Sequence, residues 1–187
     1  ESNQMSDYSE LLSARIINDF PTAPIPEKIS KETAECYVNA YFSNRSWRDV
    51  SARSILTAGG GDHGTYLHDI TYEAFQYYLP AYMLMCLNEY NDETAWIAET
   101  VFWQLLPPDN LSSQEGDKPE CKFVERFCKF TDAQKRDIAD FLAHQSHHLG
   151  KEYIPSYTND RALSAYNSYW HQFATPLAGA NSPLPTP

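Results

Sequence analysis

Apolar residues recur at helical spacing along most of the chain. Tyr8, Leu11, Leu12, Ile16 and Phe20 predict a first helix over residues 6–20. "PTAPIPEKI" then reads as an extended connector, because each proline biases its predecessor away from helix. Ala34, Tyr37, Val38, Tyr41 and Phe42 fall at i, i+3, i+4, i+7 and i+8, one face of a second helix with Ser30 as its cap. Ser46 starts a short helix carrying Trp47 and Val50. The longest stripe is Phe75, Tyr78, Leu79, Tyr82, Met83, Cys86, Leu87 and Tyr90, a helix from near Thr71 to about Tyr90. Thr71 can cap it, Glu73 complements the positive end of its dipole, and Ile70 can staple onto Phe75. Pro80 at its centre removes one backbone hydrogen bond and crowds the carbonyl of Gln76, costing about 3 kcal/mol. The stripe keeps its phase across Pro80, so a kinked helix is expected rather than two short ones.

Asn91 and Asp92 are cap residues for the next helix, which is apolar around most of its circumference and ends at Pro107-Pro108. After a polar loop over 109–119, a helix is expected around 120–129. Thr131-x-x-Gln134 has the form of a capping box for a helix bearing Ile138, Phe141, Leu142 and Leu149, which stops at Gly150. A last helix from about Asp160 to Phe173 carries Ala162, Tyr166, Tyr169, Trp170 and Phe173 on one face. No stretch alternates with the period of two that a half-buried strand requires. The pattern predicts an all-α fold, a single compact helical bundle of about six to eight helices with a proline-kinked central helix. The domain spans residues 1–175, and 176–187 form a flexible proline-rich tail.

Composition adds limits. A chain of 187 residues can bury roughly 70% of its unfolded surface in one domain. No apolar run approaches the roughly 20 residues that a membrane crossing needs, and no leader pattern opens the chain. The cysteines Cys36, Cys86, Cys121 and Cys128 form no C-x-x-C pair, so neither a zinc ribbon nor a thioredoxin-like site is expected. Cys36, Cys86 and Cys128 sit in apolar helical patterns as small hydrophobes, which fits a reduced, cytoplasmic protein.

Charge placement says more than its net value of −11. Residues 54–117 contain no lysine or arginine but ten acids, among them Asp62, Asp69, Glu73, Glu89, Asp92 and Glu93. A solvated face around an apolar segment would account for this. So would a surface that attracts a basic partner. Nucleic-acid binding is disfavoured, since phosphate contacts need clustered Lys and Arg.

Three segments, "IINDFPTAPIP", "FQYYLPAYMLMCL" and "CKFTDAQKRDIADFLAHQ", resemble a bacterial family catalogued as domain of unknown function six-seven-one-four. Its members show an F-x-[FY]-[FY]-L-P-A-[FY] core, an N-terminal helix ending in F-x-x-x-P-x-P, and a late F-[ST]-x-x-Q helix. The resemblance spans roughly residues 14 to 145, with Y-L-P-A-Y its most specific element. It implies a small bacterial helical domain and supplies no catalytic residues.

Several groups are candidates for chemistry. His68 and Asp69 precede the proline helix, and "HQSHH" places His144, His147 and His148 near the end of another. His144 and His148 share a helical face at i, i+4, so His68, Asp69, His144 and His148 would form an N/O metal site if the helices are adjacent. The Glu of H-E-x-x-H is missing, which removes the general base of a zinc protease. Histidines in a last helical turn also complement the dipole, and an Asp before a helix is a routine N-terminal anion. "TAGGGDHG" lacks the lysine of a phosphate loop and reads as a flexible connector. Tyr72, Tyr77 and Tyr78 can fill a core or anchor a protein interface. No G-x-S-x-G marks a nucleophile. The sequence thus points to a non-enzymatic acidic binding protein, of the immunity or antitoxin type, that neutralises a basic, toxin-like partner. Its contacts would be Asp62, Asp69, Glu73, Tyr72, Tyr77, Glu89, Asp92 and Glu93, and no cofactor is expected. The alternative is a metal-dependent, hydrolase-like enzyme using His68, Asp69 and the His144/His147/His148 cluster.

Overall fold

Helices dominate the computed structural model, which describes residues 2–31, 35–58, 66–91, 94–108, 119–148 and 156–175. In chain order they are α1 (Ser2–Asp19), α2 (Glu35–Phe42), α3 (Ala52–Thr57), α4 (Tyr66–Asp69), α5 (Tyr72–Asn88), α6 (Ala95–Leu105), α7 (Pro119–Cys128), α8 (Asp132–His148) and α9 (Ser156–Ser168). Turns of 310 helix occupy Trp47–Asp49 and Trp170–Phe173. No strand occurs among the described residues, where backbone pairing of β type is limited to an isolated bridge between Ser30 and Ile70. The fold is all-α. Nine described α-helices exceed the expected six to eight because α3 and α4, of six and four residues, are too short to repeat an apolar face.

The proline helix is the centre of the bundle. Thr71 caps α5, accepting a hydrogen bond from Ala74 N, and the helix runs unbroken through Pro80 to Asn88. Residues 77 to 83 are all buried, so this segment is enclosed on every side. The Tyr78 hydroxyl meets the carbonyls of Phe42 (2.9 Å) and Arg45 (2.8 Å), tying α5 to the end of α2. α5 packs on α1, α6 and the Trp47–Asp49 turn, while α8 packs on α1, α9 and the Trp170–Phe173 turn. α1 therefore bridges two halves of one hydrophobic cluster that extends from Leu12 to Trp170. Leu12, Ile16 and Phe20 face that cluster at successive i+4 steps.

Polar groups fasten the same joints. Arg15 of α1 donates from Nε and Nη2 to Asp137 Oδ1 (3.0 and 2.6 Å) and from Nη2 to Asp140 Oδ2 (2.7 Å), both on α8. Asp140 also accepts from the backbone N and hydroxyl of Thr175 (3.0 and 2.8 Å). The expected capping box is present: Gln134 N donates to Thr131 Oγ1 (3.2 Å) and Thr131 N to Gln134 Oε1 (3.0 Å).

Several local expectations are corrected. Ser30 is buried in the bridge to Ile70, and the described part of α2 begins at Glu35. Asn91 does cap, its side chain accepting from Thr94 N and its own N donating to Thr94 Oγ1, but α6 itself begins only after Thr94. The last helix ends at Ser168, and Tyr169 breaks it before the 310 turn. Cys128 is exposed, not an apolar filler, whereas Cys86 is buried. The glycine stretch over 59–64, Leu149, Gly150 and the 176–187 tail lie outside the described residues. No described helix is long and apolar enough to cross a membrane.

Candidate anion-binding site

Two long-range ties assemble the mouth of a cavity. Around the Ser30–Ile70 bridge, Lys31 N donates to Asp69 O (2.7 Å) and Thr71 N to Ile29 O (2.8 Å). Thr71 Oγ1 adds a bond to Lys28 O (2.9 Å). The connector before α2 is thereby stitched to the junction of α4 and α5, and Lys31 Nζ donates to the carbonyl of His68.

From the other side comes α7. Phe123 and Phe127 turn into the core while Lys122 and Glu125 face solvent, which places Arg126 at the boundary. Its guanidinium lies 3.4 Å over the Phe75 ring, with Tyr72 and Phe127 at 5.9 and 5.8 Å. Its one hydrogen bond runs from Nη1 to Gln104 Oε1 (2.6 Å). Nε is wholly buried with no partner, and no described acid pairs with this cation. Gln104, buried on α6, passes the chain on, because its Nε2 meets His68 Nδ1. An amide nitrogen only donates, so Nδ1 accepts and a neutral His68 carries its proton on Nε2.

These residues line a cavity of about 680 Å³. Arg126, Gln104, His68 and Lys122 supply its polar groups. Tyr72, Trp103, Phe123, Leu106 and the Pro107-Pro108 pair supply flat and apolar walls. Burial lowers the Arg126 pKa to about 10, with Tyr72 opposing weakly. Lys31 is also lowered, first by burial and then by repulsion from Arg126, against the pull of Asp69. Both shifts mark positive charge that the fold leaves undercompensated. A buried cation without a counterion is costly, and an anion in the cavity would relieve that cost.

The residues expected to bind a partner scatter. Tyr72 and Glu73 are exposed side by side at the start of α5, with Asp69 half-buried just before them. Tyr77 is buried and donates its hydroxyl to Thr22 O (2.6 Å), so it serves the core. Glu89 lies at the far end of α5, about 24 Å from Glu73 at 1.5 Å per residue. Asp62, Asp92 and Glu93 lie outside the described residues. Among the described residues, His68 and His144 have different neighbours. His68 is held by Gln104, and His144 stacks on Tyr8 with ring centroids 5.4 Å apart. His147 is exposed, and the described residues contain no group of three or more His, Cys, Asp or Glu able to hold a metal. The His148 side chain lies outside the described part of α8.

Sequence reasoning missed Arg126 and Gln104. A signal existed in each. Arg126 follows Phe123 and precedes Phe127 on the inner face of its helix, and Gln104 interrupts the most apolar helix of the chain.

No curated protein and no solved structure matches the chain. A family model described as a family of unknown function (DUF6714) matches residues 25–174, which include every residue named in the cavity and its mouth. A match over most of the sequence establishes membership, and the chain belongs to the DUF6714 family.

Proposed function

We propose that this protein is a binding module that takes up an anionic ligand in the cavity between α4, α6 and α7. One observation carries the reading: the Arg126 guanidinium lines the cavity and no described acid neutralises it. Cations placed this way are uncommon unless something neutralises them. The polar groups are few and grouped at one place, while the remaining walls are aromatic or apolar, as ligand pockets usually are. Thermal unfolding with inorganic phosphate, acetate and benzoate as separate probes tests this. A ligand present at 100 times its Kd stabilises the fold by about 2.7 kcal/mol, and Arg126→Gln is expected to abolish the shift. Absence of a shift with every anion at millimolar concentration would overturn the reading.

A second reading, neutralisation of a basic, toxin-like protein by an immunity-type acidic surface, is favoured by a different observation. Tyr72 and Glu73 are exposed together within the base-free interval 54–117. Electrostatic steering would speed such an encounter and make it salt-sensitive. A pull-down against the product of a neighbouring gene, at low and high salt, checks it; binding that ignores salt would count against it. The unpaired thiols Cys86 and Cys128 support a reducing, cytoplasmic setting.

A further inference from the structure

The cavity wall specifies the body of a ligand more closely than its head group. Of the Arg126 guanidinium nitrogens, Nε is sealed within the protein and Nη1 is held by Gln104, which leaves Nη2 as the donor for the cavity. Lys122 stands on the same wall. Lys31 lies near enough to be repelled by Arg126, with Asp69 drawing it the other way. No described acid lines the cavity. Such donors accept a carboxylate or a phosphate alike, because both present anionic oxygens to N–H groups.

Trp103 of α6 carries the rest. Its side chain is 53% exposed, yet the ring is held in place. The Arg161 guanidinium of α9 lies 3.8 Å over one face of the indole. Glu99, one turn before Trp103 on the same helix, accepts from Arg161 Nη1 (2.9 Å), so the charge of Arg161 is already answered. Trp103 lines the cavity and Arg161 does not. The face that Arg161 covers therefore points away, and the other face, which no described ring meets, is left for the cavity. Carboxylate, guanidinium and indole are stacked in series, which orients a flat surface before any ligand arrives and lowers the entropy lost on binding. Tyr72 and Phe123 add aromatic surface to the same wall.

We infer that Trp103 is a ring platform and that the ligand is an aromatic anion, its ring stacked on the open face of Trp103 and its anionic oxygens on Arg126 and Lys122. The Glu99–Arg161 pair is the support that fixes the plane of that platform. This rests on the reading of the cavity as an anion site and adds the ligand's body, with carboxylate and phosphate as two forms of one head-group chemistry.

Calorimetric titration of the full chain with two sets of probes tests it. One set is benzoate, cyclohexanecarboxylate and acetate; the other is phenyl phosphate, cyclohexyl phosphate and inorganic phosphate. Within the set that binds tighter, which identifies the head group, the aromatic probe should exceed its ringless counterpart by at least about tenfold. It should exceed the saturated ring by about 2- to 13-fold, the value of aromatic stacking beyond buried area. Trp103→Ala, at an exposed position, should weaken the aromatic probe by about tenfold and leave acetate and inorganic phosphate unchanged. Trp103→Phe should restore part of that loss. Arg161→Gln should weaken the aromatic probe in the same direction, since the indole loses its support. If the saturated or ringless probe equals the aromatic one, or if Trp103→Ala binds it unchanged, this inference falls while the anion site stands. If no anionic probe binds, both fall together.

Discussion

Arg126 and Gln104 depend on each other, and their substitution should show it. Gln104→Leu removes the one hydrogen bond that Arg126 makes and is expected to destabilise the fold by about 1.5–3 kcal/mol, the range for a bond to a charged group. Arg126→Met retains stacking on Phe75 and removes the undercompensated charge, but leaves Gln104 Oε1 without a donor. Its net effect should lie within about 1 kcal/mol of zero. The double variant is expected to be more stable than Gln104→Leu alone, and urea denaturation of the three proteins measures this. A purely structural arginine would give the opposite order. Each residue stands out in the sequence by itself, but their meeting does not. Gln104 meets His68 and Arg126 across separations of 36 and 22 residues, and nothing local specifies such pairings. Tyr72 and Tyr77 teach the same lesson. Both are tyrosines on α5, and only the elements packed over Tyr77 make one a core residue and the other a rim residue.

At the scale of elements, legibility depends on how near the partners lie in sequence. Thr131 and Gln134 complete their capping box within four residues, so the start of α8 is evident from the sequence alone. Thr71 is similar at the start of α5. Ser30 has the chemistry of another cap, but its place is decided by Ile70, forty residues later. Pro80 can be read as lying within a continuous helix because apolar phase on both sides is a local property, and α5 is continuous. Thr131→Ala is expected to cost about 1 kcal/mol through loss of the cap. The loss should appear as a lower urea midpoint with an unchanged slope. Gln134 also donates to Asp19 O (3.1 Å), so Gln134→Ala should cost more than Thr131→Ala, since it frees the end of α1 as well.

The whole molecule is tied across its halves by Arg15, Asp137 and Asp140, and this tie titrates. Desolvation raises the Asp137 pKa to about 6, helped by Asp19 and Asp140 and opposed by Arg15. The unfolded carboxyl titrates near about 3.9. Between these values the folded chain holds a proton that the unfolded chain has released. The contribution of Asp137 to stability therefore falls as pH rises from about 4 to about 6 and is level above that. Asp137→Asn should remove this slope from a plot of stability against pH, as read from chemical denaturation at each pH. Its remaining effect is loss of the negative charge facing Arg15, because the amide oxygen can still accept from Nε and Nη2. All-α class and one shared core are legible at this scale, since periodicity is summed over many residues. Which charges are drawn inside is not, because Asp137 and Arg15 are 122 residues apart.

The stitch at Ser30–Ile70 has a consequence for motion. It consists of few bonds on an extended connector, without the neighbouring ladder that would protect a strand in a sheet. The amides of Lys31 and Thr71 should therefore exchange with solvent deuterium together, through an opening smaller than global unfolding. When that stitch opens, Lys31 leaves His68, which lines the cavity. Those two amides are a clock for the cavity, and occupancy by an anion should slow both by the same factor while leaving the amides of α8 unchanged.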